Sequence, residues 1–500
     1  MKHSLSRRQF VKNSALAGGA LGLLEFGLPP VSAADAKLES NHVRFDPSLE
    51  PLVRLLEDTP RGRVIEEFAS RVKAGLSYRE VVAALLLAGV RNIQPRPVGF
   101  KFHAVLVVNS AHQASLASSP NDRWLPIFWA LDQFKSSQAR DAQEGDWTMA
   151  AVDEKSVPPS HQARAAFVAA MDNWDEAKTD AATAGLARSA GAHELFELFC
   201  RYGARDFRDI GHKAIYVANS WRALQCIGWQ HSEPVLRSLA YALLQHEGSN
   251  PARRDAEADK PWKRNLELAK KIRKEWTGGK TDSGATAAFL STVRSGSSED
   301  AGDQVIEMLN RGVAAVSIWD GIFDAAGELV MRKPGIPSIH AITTANALHY
   351  AFQTSGNDET RRMLLLQAAA FTPLFRGRAG GVKDQPIDKL ETEKTQSPGD
   401  EAVEEIFANV SRSRLKAARQ ALGFLKGTDE ARAFIAQARR LIFLKGENSH
   451  DYKFSSAVLE DYQNISPEWR NRYLAASVFW LRGSGGKDTQ LSERIRSAIG

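Results

Sequence analysis

Two histidines and an asparagine interrupt an otherwise apolar run, Ile339-His340-Ala341-Ile342-Thr343-Thr344-Ala345-Asn346-Ala347-Leu348-His349, which carries no charged residue. The pattern recurs in register at Phe102-His103-Ala104-Val105-Leu106-Val107-Val108-Asn109-Ser110-Ala111-His112. A third copy, Lys213-Ala214-Ile215-Tyr216-Val217-Ala218-Asn219-Ser220-Trp221-Arg222, has Lys213 and Arg222 at the histidine positions and His212 one residue earlier. Imidazole moves protons near neutral pH and binds metals, so a repeated histidine points to acid–base chemistry or ligation. On a helix at about 100° per residue, positions nine apart face opposite ways. His103 and His112 therefore cannot grip one ion from a straight helix, nor can His340 and His349. Asn109 and His112 are three apart and share a face, as do Asn219 and Arg222, and Asn346 and His349. Asp209 and His212 have the same spacing, which sets an oxygen and a nitrogen together; with His340 they are the metal candidates.

Helices that are apolar almost all round belong in the interior. Buried amides and imidazoles there need partners, since each unmet group costs on the order of 1–3 kcal/mol. Two readings follow. Either the stripes bond one another and pin helix packing, or they line a polar interior pocket.

The rest of the chain must position these helices, and its periodicity is helical nearly throughout. Ser77 and Glu80 form a capping box at a helix start, and Pro467 suits the first turn of a late helix. Strand signals are almost absent. The sequence predicts an all-α fold of antiparallel helices in irregular repeats, one large unit with two flexible insertions. The expected parts are a leader over 1–34, a helical region over 35–276, a linker or lid with a short helix over 277–303, helices over 304–375, a flexible linker over 376–401 and C-terminal helices over 402–500. The stretch Glu447 to Lys453 reads as a connection before a helix that ends at Tyr462. Helix or helix-start settings hold His103, His112, His193, His212, His246, His340, His349 and His450.

The leader is specific. Ser6-Arg7-Arg8-Gln9-Phe10-Val11-Lys12 fills each position of a twin-arginine export motif, and Val31 and Ala33 suit signal peptidase. The expected partner is the twin-arginine machinery and the expected location periplasmic or extracellular, with the leader removed or, given Glu25 in its apolar stretch, kept as an anchor. Lys2, Arg7, Arg8 and Lys12 against Glu25 supply half of the net charge of +6, so the mature chain offers no case for nucleic acid. No transmembrane span is expected in it. Cys200 and Cys226, the two cysteines, could pair or stand free. No Cys-x-x-Cys-His occurs, which argues against c-type haem. The missing Gly-rich loop and missing strands argue against a Rossmann site for NAD or FAD. A metal ion remains compatible.

Two blocks carry a resemblance. Pro337-Ser338-Ile339-His340-Ala341-Ile342-Thr343-Thr344-Ala345-Asn346-Ala347-Leu348 resembles the late His-(Ala/Gly)-Val-Thr-x-x-x-Ala-Leu helix of the questin oxidase-like family. Gly211-His212 through Pro234 to Leu239-Ala240-Tyr241-Ala242-Leu243 and His246 is similar to that family's middle region, with Lys213-Ala214-Ile215 in place of its His-Pro/Ala-Leu-Ile. The resemblance implies an all-α fold, oxidative cleavage of aromatic polyketide rings in characterised relatives, and functional roles for His212 and His340. The expectation is an exported oxidoreductase acting on a small organic substrate. His103, His112, His212, His340, His349 and Arg222 are its expected catalytic groups, with Asn109, Asn219, Asn346 and Tyr216 against substrate. The alternative is a non-catalytic periplasmic scaffold or ligand-binding protein.

Overall fold

The computed structural model describes residues 41–427 and 431–500; the leader expected over 1–34 lies outside them. The described residues form 22 α-helices, and the only β-type pairings are two isolated bridges, His42 with Ala150 and Lys280 with Val313. The fold is all-α. No helix among the described residues is long and apolar enough to cross a membrane.

Four helices make the centre: His103–Leu116, His212–Ile227, Ile336–Thr354 and Ser449–Asn464. The first three are the repeated segments, and most of each is buried, as their lack of a polar face requires. They pack in a closed ring. The His103 helix lies between the His212 and Ser449–Asn464 helices, and the Ile336–Thr354 helix touches the same two from the other side. All four start at the same end, so they run in one direction. The surrounding helices make the return passes and cover the ring. Val81 to Val90 form one such wall on a helix, Tyr78–Asn92, whose start carries the expected Ser77–Glu80 capping box.

The fourth ring helix begins earlier than its sequence suggests. Asn448 caps it by accepting from the His450 amide at 2.9 Å, and the Asp451 carboxylate takes the amides of Asn448 at 3.4 Å and Glu447 at 2.9 Å. This is a capping box with Asn and Asp in place of the usual Ser and Glu. It turns residues 449–453 into the helix's first turn, with His450 and Lys453 inside the protein rather than on a connection.

Much of 277–303 is helical: Ser283–Ser295 buries Phe289, Leu290 and Val293, and the next helix, Ser298–Asn310, starts on a Ser297–Asp300 capping box. Residues 380–398 are irregular apart from one turn, Ile387–Lys389, but Ile387 is fully buried and its amide is held by the Glu328 carboxylate at 3.0 Å. Cys200 and Cys226 are both free thiols.

Candidate active site

The four ring helices bring their first turns to one place, and each contributes a histidine. Two of the turns leading there have unusual backbone. Phe100 (φ 46°), Asp209 (φ 53°) and Ile210 (φ 46°) adopt left-handed conformations, which non-glycine residues avoid and a β-branched one avoids most. Such conformations cost of order 1–3 kcal/mol each and concentrate at functional sites. Gly211 completes the second turn at φ 81°, where a Cβ would fall 2.0 Å from Thr344 Oγ1 on the neighbouring ring helix. The close approach of these two helices thus requires glycine at 211.

The turns aim the imidazoles. The Nδ1 atoms of His103, His212 and His340 bond the carbonyls of Phe100 (2.9 Å), Asp209 (2.5 Å) and Ile336 (2.7 Å). A carbonyl only accepts, so all three rings carry their proton on Nδ1 and turn a bare Nε2 inward. His212 Nε2 lies 3.0 Å from His103 Nε2 and 2.9 Å from His340 Nε2. The His450 ring closes the group, its centroid 4.5 Å from that of His103 and 5.3 Å from that of His340. Its Nε2 is buried and has no hydrogen-bond partner. Ring nitrogens of His103, His340 and His450 lie within 4.8 Å of one another. Burial drives the pKa of His103, His212 and His340 well below the ordinary range and that of His450 to about 4, with the nearby Lys453 pushing the same way, so all four are neutral at physiological pH.

The cluster floors a pocket of about 650 Å³. Phe100 and Ile336, two of the three large apolar side chains that are exposed among the described residues, stand in its wall. Lys101 and Arg140 also line it but are engaged by Asp141 at 2.8 Å and Glu144 at 2.6 Å. Asp209 lines the pocket too. Because the helix starts only at His212, the Asp209 carboxylate does not share a helical face with that imidazole; its backbone carbonyl makes the contact. Burial raises the Asp209 carboxyl to about 6, and its Oδ2 has no partner.

The remaining expected residues sit about two turns deeper or elsewhere. Asn109 donates to Asn219 at 3.2 Å, and Asn219 donates to the Leu106 carbonyl at 2.9 Å. Arg222 grips the Glu460 carboxylate at 2.9 Å, and Asn346 donates to Glu460 and Asp461 at 2.7 Å each. Asn219, Arg222 and Asn346 border a small space of about 10 Å³, room for a single water. The Tyr216 hydroxyl bonds Ser238 at 2.8 Å, clear of the pocket. His112 faces the other way, 2.9 Å from the Tyr78 hydroxyl, and His349 packs on Trp319 and Phe323. The Asn-x-x-His and Asn-x-x-Arg stripes therefore follow the packing reading, their Asn and Arg groups pairing with each other and with acids below the pocket, while the pocket is lined by the first-turn histidines His103, His212 and His340, which lie outside the stripes.

Two site residues stand outside the repeat. His450 is one. The other is Lys453, a turn deeper, whose Nζ is buried without a partner and whose pKa burial lowers to about 7. The Asn448-x-x-Asp451 cap is the signal that would have placed both on a helix.

No family model matches this chain, and no curated protein or solved structure matches it either.

Proposed function

We propose that this chain is an exported oxidoreductase that takes a small organic substrate into the histidine-floored pocket. The observation that carries the reading is the convergence of four neutral imidazoles, drawn from four separate segments, at the base of a cavity large enough for such a molecule. Neutral imidazoles can accept a proton from a substrate hydroxyl or enol as it is oxidised, with dioxygen as the electron acceptor. The apolar wall residues Phe100 and Ile336 suit a substrate with an apolar body. The resemblance to the questin oxidase-like family points the same way, and His212 and His340, the two residues it singles out, are in mutual contact.

The test is oxygen uptake by the mature protein over a panel of phenols, quinols and enolisable ketones, with product mass spectrometry. Uptake on at least one class is expected, abolished in His212→Ala and His340→Ala while each melting temperature stays within a few degrees of wild type. No uptake on any class, or two variants that simply fail to fold, would refute the assignment and favour a ligand-binding scaffold. Export is proposed to follow the twin-arginine route. Changing Arg7 and Arg8 together to Lys should trap the protein in the cytoplasm, as fractionation and blotting would show.

A further inference from the structure

The Nε2 lone pair of His212 faces those of His103 at 3.0 Å and of His340 at 2.9 Å. Each opposite Nδ1 is already spent on a backbone carbonyl, so no imidazole has a second proton to offer while it stays neutral. Converging lone pairs repel unless a positive centre lies among them. One proton could bridge one of these pairs but not both. Imidazoles oriented by a carbonyl on the far nitrogen are also the usual arrangement of metal-bound histidines. The fourth ring, His450, presents a buried Nε2 with nothing to bond.

We propose that one divalent transition-metal ion sits among these imidazoles, held by His103, His340 and His450, whose ring nitrogens lie within 4.8 Å of one another, and by His212, whose Nε2 adjoins the first two, with a coordination position open to the pocket. An all-imidazole set selects copper, nickel, iron or zinc over magnesium or calcium, which need oxygen ligands. The spacing narrows the choice. At metal–nitrogen distances of about 2.0–2.1 Å, a 90° pair of nitrogens is about 2.9 Å apart and a tetrahedral pair about 3.3–3.4 Å. The 2.9 and 3.0 Å from His212 Nε2 to its two neighbours match the right-angled case, which square-planar copper(II) or nickel(II) and octahedral ions adopt and tetrahedral zinc does not; of these, copper(II) binds a nitrogen set most tightly. Four helix N-termini and the Lys453 side chain add positive potential around the ion. An anionic oxygen ligand, hydroxide or a substrate oxyanion, therefore suits its open side. The assignment deepens the oxidoreductase reading and rests on it for the ion's chemical purpose, though not for its binding.

The experiment uses the full mature chain, freed of metal with a chelator and titrated with copper(II) sulfate. Calorimetry and electron paramagnetic resonance are read together. One equivalent should bind with an axial spectrum carrying nitrogen superhyperfine structure from several imidazoles. His340→Ala and His450→Ala should each weaken binding at least 100-fold, whereas His161→Ala, at an exposed histidine, should leave it unchanged. The wild-type spectrum counts nitrogens directly, so the test survives a variant that misfolds. Absence of a one-equivalent site, or a wild-type spectrum without multiple nitrogen ligands, overturns the assignment. Substrate oxidation by metal-free protein that binds no copper overturns it too while sparing the oxidoreductase reading. Tight binding without turnover on any substrate upholds the metal site and refutes that reading instead.

Discussion

Replacing Lys453 by Met should stabilise the metal-free protein at neutral pH and remove part of its pH dependence. Lys453 is 3% exposed, and its Nζ meets no hydrogen-bond acceptor. Burial lowers its pKa from 10.5 to about 7. The unfolded chain keeps this proton up to the higher value, and the folded chain surrenders it from the lower one. Between the two the unfolded state binds more protons, so stability climbs as pH rises through that window. At about 1.4 kcal/mol per pKa unit the whole window amounts to roughly 5 kcal/mol. The cavity of about 10 Å³ beside Lys453 has room for one water, which would reduce the penalty. Exchanges of a buried ion pair for well-packed apolar side chains often gain about 1–4 kcal/mol, Lys453 lacks even the offsetting partner of such a pair, and Met has nearly the length of Lys. We expect Lys453→Met to gain roughly 2–4 kcal/mol at pH 7, read as a rise of several degrees in Tm. Thermal melts with chelator at pH 7, 8.5 and 10 would follow the gap between variant and wild type, which should shrink as pH rises. A Met variant less stable than wild type at pH 7, or a gap that stays constant with pH, would refute the reasoning.

Gly211→Ala should destabilise by about 3 kcal/mol, from a left-handed alanine and the clash with Thr344 Oγ1, and Thr344→Ala should recover part of the loss in melting temperature. Asn346→Ala should cost about 2–3 kcal/mol by stripping Glu460 and the buried Asp461 of a shared donor, while one-equivalent copper binding persists, which calorimetry would check. His349 has its pKa lowered to about 3, chiefly by burial and then by Arg222. The unfolded chain takes up that proton below about pH 6.5 and the folded chain refuses it, so stability falls as pH drops from 6.5 toward 3. His349→Leu should flatten that part of a melting-temperature profile.

The all-α character was plain in the sequence because apolar helices and missing strands are local properties. The site was only half legible. The nine-residue spacing correctly denied that His103 and His112 meet, or His340 and His349. Nothing local could say which member of each pair turns toward the pocket. That depends on the first turns of four helices meeting at one end, a tertiary fact. Asn109, Asn219 and Asn346 shared the histidines' register and so looked like pocket residues. The same register carries them about two turns down the ring, where they bond each other, Arg222 and Glu460. His450 was legible as a histidine at a helix start but not as a member of the site, because its helix is no copy of the other three and its cap uses Asn and Asp. The Asp209 spacing misled because a left-handed turn, rather than helix, joins it to His212.

The ring has a consequence for how this protein comes into being. Its four histidines stand at positions 103, 212, 340 and 450, so the pocket has no local precursor: each contact closes a loop of a hundred residues or more. Contacts this distant in the chain form late and slowly. A ribosome-bound chain shorter than 450 residues lacks the last imidazole, and a proteolytic fragment that omits any one ring helix loses a wall as well as a side chain. Completion of the pocket therefore waits until residue 450 has been made. The proposed twin-arginine route, which carries folded proteins, would suit such a molecule, since the pocket could be completed in the compartment where the chain is made.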